Sequence, residues 1–374
     1  MKLSVCHPSR KYPFLAGRFQ IALGVVLLLR SVWSTLGADG SVDWNIDEAA
    51  CHLDERQRAW SDSANCISCH SGLPYALARP ALRKLVGTTA PSEEETKMLL
   101  LIRQRVANWA KLDSKEFGLY YDDSEEKKTQ SWGTEAIFNA LILAQDDRYE
   151  ARTSPSDATR EAFTHLWATQ AQSGEEQGSW AWLDFNEPPW GNAEARYIGA
   201  ALACIAVGSA PGYYPKGTDS NTDAGVNRLQ QYLKRNFPKQ SLHNQAYGLW
   251  ADTSLRGFLT QSERQQLVDQ LLGKQQSDGG WTLPALGQWR SDGMAQDTAS
   301  DGYATGLILH VLQTAGFPKD QASISKGLEW LKRHQASTGA WRTVSLFKQR
   351  DPATHKGKFM SDAATAYAVL ALTH

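Results

Sequence analysis

Two kinds of segment alternate along the chain. The first is apolar on nearly every side and rich in Ala: Trp132 to Ala144, Trp190 to Val207, His243 to Ala251, Ser300 to Leu312 and Ser361 to Leu372. Each opens on a small or polar residue of the kind that caps a helix. The run that follows predicts a helix buried on most sides. With Thr134, Asn192, Asn244, Asp301 and Asp362 taken as equivalent, the steps between repeats are 58, 52, 57 and 61 residues. The second kind is amphipathic and ends in a common way. Phe163 to Gln172 leads to Gly178-Ser179-Trp180, Leu267 to Gln276 to Gly279-Gly280-Trp281, and Leu328 to Gln335 to Gly339-Ala340-Trp341. The Gln is expected to close a helix, the Gly to supply the turn, and the Trp to fold back across the helix end.

One repeat is therefore an outer amphipathic helix, a Gln/Gly/Trp turn and an inner apolar helix. Five to six such pairs, with no strand signal, predict an all-α fold. The inner helices are too apolar to line an open, wet face, so a closed α/α toroid is expected, with an inner apolar ring inside an outer amphipathic one. An open solenoid is the alternative. Residues 93–112 read as an outer helix, Tyr75 to Val86 as an inner one, and the charged stretch Asp122 to Lys128 as a solvated loop.

The Gln…Gly-x-Trp turns resemble the QW repeats of the terpenoid cyclase and prenyltransferase group, the squalene–hopene cyclase-like α/α toroids, over roughly residues 70–374. The resemblance implies the toroid and, for activity, isoprenoid processing in which the middle Asp of a DxDD motif protonates an alkene. The nearest counterpart is Ala299-Ser300-Asp301-Gly302, which keeps one acid and lacks the flanking two. The late Asp, Cys and His zinc ligands of the prenyltransferases and the GCGEQ thioester motif are absent. The resemblance identifies a fold far better than an activity.

The first 38 residues have a different character. Lys2, Arg10, Lys11, Arg18 and Arg30 are unopposed by any acid, and Ile21 to Leu29 form nine consecutive apolar residues. That run is too short to span a bilayer. With small residues near Gly37-Ala38 it reads as a secretory signal, or alternatively as an uncleaved N-terminal anchor, which would be the one route to membrane association. The expected location is exported, periplasmic or secreted. The expected domains are 1–38 signal, 39–74 a cysteine-bearing segment and 75–374 the repeats. The formal net charge of the 374 residues is −1, and beyond residue 38 there are 34 basic against 40 acidic residues. That balance lacks the basic footprint of a nucleic-acid binder.

The sharpest chemical motif is Cys66-Ile67-Ser68-Cys69-His70. It matches CxxCH, the attachment sequence of c-type haem: two thiols take the two vinyl groups of one porphyrin, and the adjacent His supplies an axial nitrogen to the iron. A zinc site drawing on Cys51 and His52 is the alternative, with a disulfide as another. Met98, Met294 and Met360 read as packing residues. Cys204 lies in an apolar run and reads as core.

A second constellation is the polar set at the starts of the inner helices: Glu135, Glu194, His243, Asp301 and Asp362. The bland reading is capping, above all for Asp362 and Asp301; the functional one is acid–base work at the mouth of a cavity. Among the 14 Trp, Trp182, Trp190, Trp250 and Trp289 are candidates to line a pocket, and Asp184 to Pro189 is a candidate lid. The expected function is an exported haem-c-bearing toroid, performing redox chemistry or electron transfer to a partner, coupled to an apolar or small ligand in the cavity. The alternatives are an isoprenoid-processing enzyme using Asp301, or a non-catalytic binding toroid.

Overall fold

A computed structural model describes residues 43–114, 117–119, 121, 123–214, 219–289, 293 and 295–374. The expected signal and its alternative anchor lie outside the described residues. Among those residues the protein is all-helical, with twelve α-helices and no strand. They are α1 Ile46–Ser61, α2 Gly72–Leu85, α3 Glu93–Ala107, α4 Glu125–Tyr149, α5 Asp157–Thr169, α6 Ala195–Ser209, α7 Ser220–Asn236, α8 Leu242–Ser254, α9 Gln261–Leu272, α10 Gly302–Thr314, α11 Ala322–Arg333 and α12 Phe359–Thr373. None is long and apolar enough to cross a membrane.

Even and odd helices differ as the two sequence patterns require. In α10, every residue from Gly302 to Gln313 is buried; α6 and α12 are nearly as enclosed. By contrast, α11 buries only Ile324, Gly327, Trp330 and Leu331, a stripe at helical spacing. The apolar helices pack in succession: α2 on α4, α4 on α6, α6 on α8, α8 on α10, α10 on α12, and α12 back on α2. Of the odd helices, α5 packs on α4, α7 on α6, α9 on α8, and α11 on both α10 and α12, while α1 packs on both α2 and α12.

The turns that join the layers repeat one set of bonds. The indole N–H of Trp180 donates to Leu166 O at 2.7 Å, that of Trp281 to Leu271 O at 2.7 Å, and that of Trp341 to Leu331 O at 2.8 Å. Each ring is thus pinned under the last turn of an outer helix, where carbonyls lack helical partners. The glutamines that serve these turns are Gln170, Gln275 and Gln335, so the first two differ from the expected Gln172 and Gln276. Each side-chain amide bridges its own turn to the next outer helix: Gln170 to Gly178 O and Gly225 O, Gln275 to Gly279 O and Ser323 O, Gln335 to Gly339 O and Asn45 O. The third bridge reaches Asn45, the N-cap of α1. Gly339 has φ +80°, and a methyl group there would stand 2.0 Å from Glu48 O of α1. Only Gly tolerates both that backbone angle and that approach.

Two expected boundaries move. α4 begins at Glu125, capped by Ser124, whose side chain accepts from Lys127 N. The expected loop at Asp122 to Lys128 is thus helical from Glu125 on, and Thr134 lies two turns inside. Ser124 supplies the cap and Glu125 and Glu126 complement the helix N-terminus, so a polar, charged stretch makes a good first turn. The start of α12 also moves: Lys358 holds the N-cap position without a side-chain cap bond, and Asp362 lies inside the first turn.

Candidate functional site

A cavity of about 1160 Å³ opens at the N-terminal ends of the apolar helices. Its inner wall is aromatic: Phe138 of α4, Trp182 and Trp190 of the α5–α6 connection, and Phe359 at the start of α12. Cys69 and His70, in the turn between α1 and α2, line the same space with Trp60. The motif is placed there by its own turn. Ser68 Oγ accepts from Ser71 N and Gly72 N, the free amides where α2 begins, and Trp60 Nε1 donates to Cys66 O at 2.7 Å.

His70 is held with unusual definition. Its ring stacks on Phe359 with centroids 3.6 Å apart and meets the edge of Trp60 at 5.1 Å. His70 Nδ1 lies 2.8 Å from Ser71 Oγ, and Ser71 Oγ lies 2.9 Å from Asp362 Oδ2. A carboxylate can only accept, so the Ser71 hydroxyl donates to Asp362 and must accept from His70 Nδ1–H. The tautomer is thereby assigned: Nδ1 carries the proton and Nε2 keeps its lone pair. Burial pushes the imidazole down to about 3, against the opposing pull of the Asp362 charge, so the ring is neutral at physiological pH. Burial likewise pushes the Cys69 thiol up to about 12, which keeps it protonated.

Asp362 is the hub beneath this site. Arg56 of α1 grips it through Nε at 2.7 Å and Nη2 at 2.9 Å, and His52 Nε2 lies 3.7 Å away. Burial by itself would raise its carboxyl, but the nearby His52 and the bonds from Arg56 and Ser71 outweigh it and hold the group below the usual range. The expectation that Asp362 caps a helix is therefore corrected: it receives side chains from α1 and from the CxxCH turn.

Asp301 fulfils its capping role. Its oxygens accept from Ala304 N at 2.9 Å, Leu283 N at 2.6 Å and Thr343 Oγ1 at 2.9 Å. Burial raises it to about 6 even so. It reaches the cavity only through Thr343, a lining residue. Glu135 forms a buried bidentate pair with Arg105, whose remaining N–H groups hold Asn65 O, Phe117 O and Gly118 O. That pair braces the chain just before Cys66. Glu194 is exposed at the start of α6, where Asn192 Oδ1 caps Ala195 N.

His243 belongs to a buried phenol cluster, drawn from α8, α10 and α12, that the sequence reading missed. Tyr303 OH meets His243 Nε2 at 2.8 Å, Trp190 Nε1 at 3.1 Å and Tyr247 OH at 3.1 Å, while Tyr247 OH meets Tyr367 OH at 2.6 Å. Burial lowers His243 to about 4. The signal was a Tyr recurring three residues into each of these Ala-rich runs or a little later, and it reads equally well as core. Of the four free Trp candidates, Trp182 and Trp190 line the cavity; Trp250 packs against Tyr247 and His310, and Trp289 against His243. Met360, expected to be packing, lines the cavity next to Phe359.

Phe185, Glu187 and Pro188 of the expected lid segment border the mouth, and Glu187 pairs with Lys348 at 3.2 Å and Arg350 at 2.9 Å across it. Among the described residues, no three His, Cys, Asp or Glu side chains gather as a metal site would require. His52 faces Asp362, and Cys51, half-buried on α1, is disulfide-bonded. No family model matches the sequence, and no match was found among curated proteins.

Proposed function

We propose that the protein is an α/α toroid of the squalene-cyclase type. In this reading its cavity carries a c-type haem on Cys66, Cys69 and His70, and an apolar or small ligand binds beside it in a redox or electron-transfer reaction. The closed succession of apolar helices and the Gln335–Asn45 bridge from the last turn to α1 support the toroid.

The observation that carries the haem reading is the Asp362–Ser71–His70 chain. An axial His donates the N–H of its second ring nitrogen to a carboxylate, carbonyl or water, which fixes the ring and strengthens the metal-facing nitrogen as a ligand. Here Nδ1–H is committed to Ser71, and Nε2 keeps its lone pair on a ring that borders a cavity with aromatic walls. Cys69 and His70, which both line the cavity, thus fit the group. When bound, a haem supplies one-electron transfer at an iron whose potential answers to axial ligand, burial and nearby charge. The protein's part is to orient His70, keep it neutral, exclude water with Trp60 and Phe359, and place the Asp362 charge one hydroxyl away. Zinc is the less favoured reading, because no three His, Cys, Asp or Glu side chains among the described residues gather as a four-coordinate zinc site requires.

The test is the intact mass of protein exported from a host with haem-c attachment machinery. One haem above the polypeptide mass is expected, with loss of the adduct in Cys69→Ala and a changed Soret spectrum in His70→Ala. An unmodified mass from that host removes the haem reading.

A further inference from the structure

The cavity has a directional polarity that the redox reading does not use. Its floor is buried and apolar, formed by Phe138, Trp182 and Trp190. Its rim is cationic: Arg342, Lys348, Arg350 and Lys356, all from the connection between α11 and α12, border it. Glu187 and Asp297 are the carboxylates among the described lining residues. Glu187 is engaged by Lys348 and Arg350 together. Arg342 and Lys356 are exposed at the rim and form no ion pair with a described residue. Among the described lining residues four cations thus stand against two carboxylates, a surplus of positive charge in a chain of formal net charge −1.

We infer that the cavity binds an amphipathic anion, with a carboxylate or phosphate head at Arg342 and Lys356 and an apolar body along the aromatic floor. This inference names the ligand class of the reading above and rests on it only in taking this cavity as the functional site. Apolar area gives such a ligand most of its affinity. The two cations give the orientation, head outward, and discriminate against a neutral compound of the same chain length, since charge-assisted bonds are about twice as strong as neutral ones. Glu187 limits the rim in the other direction: its single carboxylate engages Lys348 and Arg350 together and competes with a headgroup for them.

Calorimetric titration of the full exported chain tests this with four ten-carbon probes below their micellar concentrations: decanoate, decyl phosphate, decanol and decyltrimethylammonium. At least one anion should bind tenfold or more tightly than decanol, and the cation should bind more weakly still. The advantage should shrink between 50 and 500 mM salt, as exposed charges are screened. The stronger of the two anions identifies the head as carboxylate or phosphate. Arg342→Gln with Lys356→Gln, both exposed positions, should abolish the preference while leaving decanol binding unchanged. Decanol binding as tightly as both anions, or a preference that survives the double substitution, overturns the inference. The mass of the same sample reports the haem adduct separately, so either reading can fail without the other.

Discussion

The starts of α10 and α12 are built on one plan yet end in different chemistry. Trp281 N donates to Thr305 Oγ1 in α10, and Trp341 N donates to Thr365 Oγ1 in α12. Four residues earlier in each helix, Asp301 accepts from Leu283 N and Ser361 accepts from Thr343 N. Ser361, not Asp362, is therefore the counterpart of Asp301. One residue further along a helix is a rotation of about 100°. That offset takes Asp362 away from the turn and onto Arg56, His52 and Ser71. The same position in the repeat holds a cap in one copy, while the residue beside it holds the CxxCH turn in the other.

The largest expected effect is at Asp362. Its replacement by Ala leaves Arg56 charged and buried without its partner, which costs about 3–5 kcal/mol. Asp301→Ala removes a cap and two further accepted bonds that water can partly replace, and should cost about 1–3 kcal/mol. Urea unfolding of both variants measures the difference; equal losses would mean that the two acids are equivalent after all.

A smaller effect tests the shared plan. Trp281→Phe and Trp341→Phe each remove one indole N–H to a helix-end carbonyl together with part of a fully buried ring, and each should cost about 1–3 kcal/mol. A loss at one site several times that at the other would show that the two turns are not copies of one device.

The smallest effect is a change of pH slope. Burial raises Asp301 to about 6, so the folded state binds a proton there that the unfolded state does not until near 3.8. As pH falls from 6 to 4, Asp301 therefore adds stability. His243, lowered by burial to about 4, acts in the opposite sense: the unfolded chain takes up a proton from about 6.5 downward, and stability is lost. Asp301→Asn should accordingly melt more steeply with acidification between pH 6 and 4 than the parent protein. A shallower decline would reverse the sign assigned to Asp301.

Much of the layering was legible because it depends on local periodicity. An Ala-rich run with no polar face has no stable place but an interior, and α6, α10 and α12 followed where those runs predicted. Capping was less legible where several polar residues competed. Ser124, not Thr134, starts α4, because the cap is chosen by which side chain reaches the first free amides, and the apolar run does not mark that point. Choosing among Gln170, Gln172, Gln275 and Gln276 was beyond the sequence for a related reason. The bridging Gln is the one whose amide reaches the next outer helix, and that helix lies some fifty residues away.

By itself the sequence determined the all-helical character, the alternation of enclosed and amphipathic helices, the Trp-pinned turns and the adjacency of Cys69 to His70. Each of these is set within a few residues, by helical periodicity, by turn geometry or by covalent order. Tertiary structure alone decided that Asp362 serves His70 through Ser71, that Arg56 compensates it, and that the cations after α11 ring the cavity onto which Cys69 and His70 open. Those pairings join residues some three hundred positions apart. Their partners are chosen by which helix closes against which, and no local preference of the chain encodes that.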